Sequence, residues 1–136
     1  MLIVDAGPLI AAGVTNDPDH TACRSALRDA DHPIVVPQTV VVETAYFLRT
    51  RVGPRAEATF TRSIRDGELM AEPVQEHDWD RIAELVESYI DLPLGLVDAS
   101  VVAIAERLGQ TRIASLDHRH LGVVRPRHCE RLELVP

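Results

Sequence analysis

Short apolar runs, each closed by a carboxylate, proline or glycine, alternate along this chain with longer segments of helical period. Leu2-Ile3-Val4 reads as a strand closed by Asp5-Ala6-Gly7-Pro8, and Pro8 suits the first turn of a short helix over Leu9 to Gly13. Asn16-Asp17-Pro18 opens a second helix running to about Ala30, and Pro33 precedes a strand at Ile34-Val35-Val36. Pro37 and Gln38-Thr39 lead an apolar helix through Leu48, and Gly53-Pro54 starts another that ends near Gly67. Leu69-Met70-Ala71 is a third strand candidate. From Gln75 to about Ile90 the spacing of Trp79, Ile82, Leu85, Val86 and Tyr89 predicts an amphipathic helix, with Trp79 and Tyr89 packed in the core. Leu96 to Leu108 is a nearly all-apolar helix ended by Gly109. Arg112 to Leu116 is a strand closed by Asp117, and Arg131 to Val135 alternates like a last strand at an edge.

Strand–helix alternation with short connections predicts an α/β fold, three layers deep, with a central, mainly parallel sheet between helices. In such sheets ligands sit beyond the carboxyl ends of the strands, which makes strand-end residues the first candidates for function. A length of 136 residues implies one domain spanning 1–136. With 46% hydrophobic and 26% charged residues the chain has the material for a core. No apolar run approaches the roughly 18 residues of a membrane span, and the opening residues lack a signal peptide's basic and apolar regions. The expectation is a cytoplasmic protein that does not contact membrane.

Charge narrows the chemistry. The 14 basic residues are all arginine, against 21 acidic residues, for a net charge of −7. Without lysine there is no P-loop phosphate site and no Schiff base. The acidic balance also argues against a nonspecific coat for nucleic acid, which needs a broad cationic surface. It leaves room for an enzyme that handles nucleic acid at a local, metal-loaded site. Two cysteines, Cys23 and Cys129, make neither a disulfide framework nor a cysteine-rich zinc site.

Four carboxylates stand out by their company. Asp5 and Asp117 each follow an apolar strand, so both fall on one rim of the sheet. Glu43 lies inside Val40 to Leu48, and Asp98 inside Leu94 to Ala105. Removing a carboxylate from water without a partner costs several kcal/mol, roughly, and like charges brought together raise one another's pKa. A divalent cation reverses both penalties. Mg²⁺ and Mn²⁺ are hard ions that take carboxylate and water oxygens, and such a site can activate water against a phosphodiester. Each carboxylate also has a purely structural reading. Asp5 and Asp98 could cap helices, and Asp117-His118 could be only a turn. For Glu43 neither a cap nor a solvated face suits its neighbours.

The ordered set of motifs resembles a known family. Leu2-Ile3-Val4-Asp5, Asp17-Pro18-Asp19-His20 and Val42-Glu43 are followed by Leu96-Val97-Asp98-Ala99-Ser100, Ser115-Leu116-Asp117-His118-Arg119-His120-Leu121 and Val124-Arg125-Pro126. Along nearly its whole length the chain is similar to PIN-domain proteins, and specifically to the VapC-type toxins of toxin–antitoxin pairs. The resemblance implies a Mg²⁺- or Mn²⁺-dependent endoribonuclease that leaves 5′-phosphate and 3′-hydroxyl ends. It implies a small antitoxin that blocks the site, a homodimer, and contact with DNA only through the antitoxin. The family's acidic quartet carries over to Asp5, Glu43, Asp98 and Asp117, with Asp5 and Asp98 as the direct metal ligands. One departure is Ala6, where the family commonly has a hydroxyl residue that could orient the first carboxylate. Ser100 could supply a hydroxyl from the other side, or simply bond back to its own helix.

His118, His120, His128 and Cys129 do not match a structural zinc spacing. His118 or His120 could touch phosphate or move a proton, and His20 suits packing at a helix start. Arg119, Arg125 and Arg127 near Asp117, and Arg49, Arg51 and Arg55 after Glu43, could steer phosphates or serve a solvated or antitoxin-facing surface. Rival readings are a catalytically silent PIN-fold binding module, a phospho-acceptor domain built on Asp5, and a DNA-cutting enzyme with the same site. The RNA that is cut is not legible in the sequence.

Overall fold

The structure, a computed structural model, describes residues 1–136. Five short strands form one sheet: β1 (Leu2–Val4), β2 (Ile34–Pro37), β3 (Met70–Glu72), β4 (Arg112–Ala114) and β5 (Glu133–Val135). Their order is β3-β2-β1-β4-β5 and every neighbouring pair is parallel. The sheet is therefore wholly parallel, one step beyond the mainly parallel expectation. β1 is central: Ile3 pairs with Val35 on one side and Ile113 on the other, and all three are fully buried. Unbroken β-branched runs suit a strand covered on both faces.

Six helices connect the strands: α1 (Ala6–Gly13), α2 (His20–Arg28), α3 (Gln38–Phe47), α4 (Pro54–Arg65), α5 (Asp78–Ser88) and α6 (Leu96–Leu108). The path from β1 through β2 to β3 steps one way across the sheet, and the crossover from β3 to β4 steps back. Right-handed crossovers put the helices of the two legs on opposite faces. Accordingly α1 packs on α2 and α3, while α5 packs along α6. The result is the three-layer α/β/α architecture. The reversal of strand order falls between β1 and β4, which opens a crevice at their carboxyl ends.

Local chemistry moves some helix ends from their expected places. α1 begins at Ala6, not Leu9, because Asp5 caps it: the Ala6 N–H donates to Asp5 Oδ1 at 2.7 Å. α2 waits until His20, because Asp17 Oδ1 accepts the Asp19 N–H at 2.8 Å and holds a turn there. α6 spans the expected residues, and Gly109 ends it in the left-handed region at φ 64°. α3 does not stop at Leu48 but widens into one π turn, Leu48–Val52, closed when the Gly53 N–H reaches Leu48 O at 2.7 Å.

Trp79 corrects an expectation. It is 47% exposed, because the first turn of α5 turns its neighbour Asp78 inward instead. There Arg107 of α6 bonds Asp78 at 3.0 Å and Glu72 at 2.9 Å. Tyr89 does pack against the core, and its hydroxyl accepts the Arg125 N–H at 3.0 Å. No helix is long and apolar enough to cross a membrane.

Candidate active site

β1 delivers Asp5 to the crevice. The carboxylate is 7% exposed and both oxygens are engaged: Oδ1 by the Ala6 N–H and Oδ2 by the Ser115 hydroxyl at 2.8 Å. Asp5 thus caps α1 with one oxygen while the other is held by the residue that follows β4. Ser115 follows β4, is fully buried, and accepts the Asp117 N–H at 3.0 Å. It bridges the two strand-end aspartates.

Asp117 is held by the turn that follows it. The His120 N–H donates to Asp117 Oδ1 at 3.0 Å, and the His120 ring nitrogen Nδ1 lies 2.6 Å from Oδ2. Asp98 is the third residue of α6, three places inside the cap position expected of it. Gly95 is the cap, and its N–H points to Asp98 Oδ2 at 3.4 Å. Ser100 bonds back to Val97 O at 2.6 Å and also meets Thr39 Oγ1 of α3 at 2.6 Å. Ser100 has one hydrogen and gives it to Val97, so Thr39 is the donor in the second bond.

Glu43 reaches the same crevice from α3, but from a solvated side. The apolar run around it is not buried as expected: Val42 is 69% and Tyr46 71% exposed, while Val40, Thr44 and Leu48 face the core. A continuous apolar run hides which of its faces is covered.

The electrostatics join all four groups. Burial pushes the Asp5 carboxyl above its ordinary value, and the charge of Asp117 adds to the rise against the opposing hydrogen bonds. Burial raises Asp98 as well, with Asp5 and Asp117 pushing the same way. Glu43 reaches water, yet the part turned to the cluster loses enough of it for its carboxyl to rise, helped by Asp5 and Asp98. Asp117 goes the other way. Burial alone would raise it, but the hydrogen bonds from His120 outweigh burial and hold it below the usual range.

Asp5, Glu43 and Asp98 form no ion pair with any arginine. Oxygen donors that repel one another and lack a cationic partner suit a hard divalent cation. Asp98, Asp117 and His120 offer ligand atoms all within 4.8 Å of one another. Asp5 couples to that group through charge and through Ser115 rather than by joining its tightest part.

A model of the PIN domain matches residues 2–125. The chain belongs to the PIN-domain family. This PIN domain is 30% identical over 135 residues to Ribonuclease VapC26 of Mycobacterium tuberculosis (strain ATCC 25618 / H37Rv), a match covering 99% of this chain and 100% of that protein. It also superposes on the crystal structure of Mycobacterium tuberculosis VapC20, a Sarcin-Ricin loop cleaving toxin, with a TM-score of 0.80. That match has 20% identity and covers 87% of this chain and 91% of the other, a likeness of fold.

Ser115 escaped sequence reasoning as a candidate, legible only as a strand residue, whereas His120 is one of the two histidines expected to touch phosphate or move a proton, and its contact with Asp117 was not foreseen. The signal for His120 is its spacing, three residues after Asp117 in a turn, where an Asx-type bond to the backbone brings the ring over the carboxylate. The other histidines lie elsewhere: His20 Nδ1 bonds Ala11 O at 2.9 Å and His128 Nε2 bonds Gln110 O at 2.8 Å. Of the arginines after Asp117, Arg127 pairs with Glu84, and Arg119 and Arg125 are exposed.

Proposed function

We propose that this PIN domain is a Mg²⁺- or Mn²⁺-dependent endoribonuclease, the toxin of a toxin–antitoxin pair, that acts on RNA in the cytoplasm and halts translation or growth. The observation that carries the reading is the convergence of Asp5, Glu43, Asp98 and Asp117 from four separate elements on one crevice, mutually repelling and without an arginine. Relationship to a ribonuclease at 30% identity over the full length supports the same reading.

In this reading Asp5 and Asp98 hold the ion, and Asp117 is close enough to Asp98 to join them. Ser115 fixes the angle of Asp5 by its hydrogen bond to Oδ2. His120 keeps Asp117 ionised by bonding both of its oxygens. Glu43, on the solvated side, orients the attacking water and takes up its proton, a role that suits a carboxyl raised above its normal value. A divalent ion supplies the charge that makes hydroxide available near neutral pH and neutralises the phosphate. In-line attack at phosphorus would break the P–O3′ bond, and the departing 3′-oxygen takes a proton from solvent, which leaves 5′-phosphate and 3′-hydroxyl ends.

An uncompensated acidic crevice also explains how such an enzyme is silenced. A cognate small antitoxin that places an Arg or Lys among the four carboxylates would satisfy them and displace the ion. The chain acts as a homodimer, and meets DNA only through the antitoxin.

Asp5→Asn and Asp98→Asn should each abolish cleavage while leaving the fold intact. Brief expression followed by sequencing of the RNA ends, wild type against Asp98→Asn, checks this and reports the target. Full activity of either variant overturns the assignment.

A further inference from the structure

α3 buries Val40, Thr44 and Leu48, one residue per turn, and turns its other side to solvent. That side carries Tyr46, 71% exposed, and Phe47, 39% exposed. At 3.6 residues per turn they stand roughly 60° and 40° to either side of Glu43 and one turn further along the helix. The chain has only two Phe, two Tyr and one Trp. Two of these few rings are spent in water beside a carboxylate of the candidate site.

The charge changes sign at the same place. From Glu43 to Glu57 there is no other acidic residue, and Arg49, Arg51 and Arg55 fall between them, in a chain of net charge −7. All three arginines are exposed. Arg51 and Arg55 make no ion pair, and Arg49 has only a solvated one, 3.8 Å from Glu57. Arg49 and Arg51 sit on the π turn, a rare geometry that concentrates at functional sites. The Thr50 hydroxyl bonds Tyr46 O at 2.7 Å and ties that turn to the aromatic one.

Exposed rings beside solvated arginines are the elements with which proteins hold unpaired nucleotides. We propose that Tyr46 and Phe47, with Arg49 and Arg51, form a track for single-stranded RNA beside the cleavage crevice. The rings stack on bases flanking the cut, and the guanidinium groups hold the phosphates that the acidic crevice repels. This rests on the ribonuclease reading above. A second copy of the chain is a poorer occupant, since a two-fold contact centred here would set one arginine run against its twin.

The test uses the Asp98→Asn protein, which leaves RNA intact, in Mg²⁺ buffer with a pool of hairpin RNAs carrying randomised loops. Filter binding should show Tyr46→Ala and Phe47→Ala weakened about tenfold each. Tyr46→Trp should bind at least as well as tyrosine, whereas Tyr46→Leu, which keeps apolar area without a stacking face, should lose as much as alanine. Arg51→Gln should lower the slope of log affinity against log salt by about 0.7. Tyr46 is exposed, so its variants keep the fold, and circular dichroism verifies it. Full affinity in Tyr46→Leu overturns the proposal. So does a Tyr46→Ala protein that changes from dimer to monomer in sedimentation while its RNA affinity per protomer is unchanged. Cleavage of the pool by wild type is measured alongside. If wild type cleaves and the variants bind normally, the track is wrong and the ribonuclease reading stands; if wild type neither binds nor cleaves any member, both fall.

Discussion

The hydroxyls of Thr39 and Ser100 meet at 2.6 Å and join the opening turns of α3 and α6 across the crevice. Glu43 stands one turn beyond Thr39, and Asp98 two residues before Ser100. The bond ties together the two helices that carry these repelling carboxylates, at a point where the two helix layers touch.

That bond should matter more for chemistry than for folding. Thr39→Val keeps the shape and removes the donor, at a cost of about 1 kcal/mol of stability. Cleavage should fall about tenfold, since a small misplacement of positioned groups is expensive. Thr39→Ser should restore both. Guanidinium unfolding and initial rates on the same preparations check the two effects.

The carboxyl shifts give a pH dependence with a definite sign. Asp5, Glu43 and Asp98 are raised, so in the metal-free fold they keep protons that the unfolded chain has released. Their contribution to stability is full below the ordinary values of 3.8 and 4.5 and is lost as pH rises through the folded values. Asp117 is lowered and opposes them: its contribution is present above 3.8 and lost as pH falls. With three groups against one, the metal-free Asp98→Asn protein should melt above metal-free wild type at neutral pH. Mn²⁺ should raise the wild-type Tm, by the equivalent of about 2.7 kcal/mol at a hundredfold excess over Kd, and more at pH 8 than at pH 5. Calorimetric melts with and without Mn²⁺ read both effects, and Asp98→Asn should show little response to the ion.

Ser115 should tune the first aspartate. Ser115→Ala removes the hydrogen bond that favours the charged form of Asp5, so the Asp5 carboxyl rises further. Mn²⁺ affinity should drop about 10–100-fold, and the acid side of the cleavage profile should move to higher pH. Isothermal titration and a pH–rate series measure these, with Ser115→Thr expected to behave as wild type.

At the far end of α6, Arg107 is a control that separates scaffold from site. It is the partner of Asp78, whose side chain is 2% exposed, and of Glu72. Arg107→Ala removes the cationic partner of a buried carboxylate, at a cost of about 3–5 kcal/mol. Arg107 and Asp98 are nine residues apart, about 13 Å along the helix axis. Mn²⁺ affinity should therefore be unchanged while the unfolding midpoint drops.

What could be read in advance follows from how local each signal is. β1 and α6 were legible because the punctuation around them is covalently adjacent, Asp5 after Val4 and Gly109 after Leu108. The strand-end placement of Asp5 and Asp117 followed from topology alone. The exposure of Val42 and Tyr46 was not legible, because an apolar run does not record which side a neighbouring layer covers. The inward turn of Asp78 in place of Trp79 depends on Arg107, 29 residues later. The bond from the Ser115 hydroxyl to Asp5 spans 110 residues and is visible only once β1 and β4 lie side by side.

The placement of β4 between β1 and β5 has a temporal consequence. Residues that complete the crevice leave the ribosome at different times: Ser115 follows Asp5 by 110 residues, and Asp117 comes later still. A chain that stops before Ser115 lacks the hydroxyl that holds Asp5 and the carboxylate of Asp117, so the proposed cleavage centre forms only after β4 has been made.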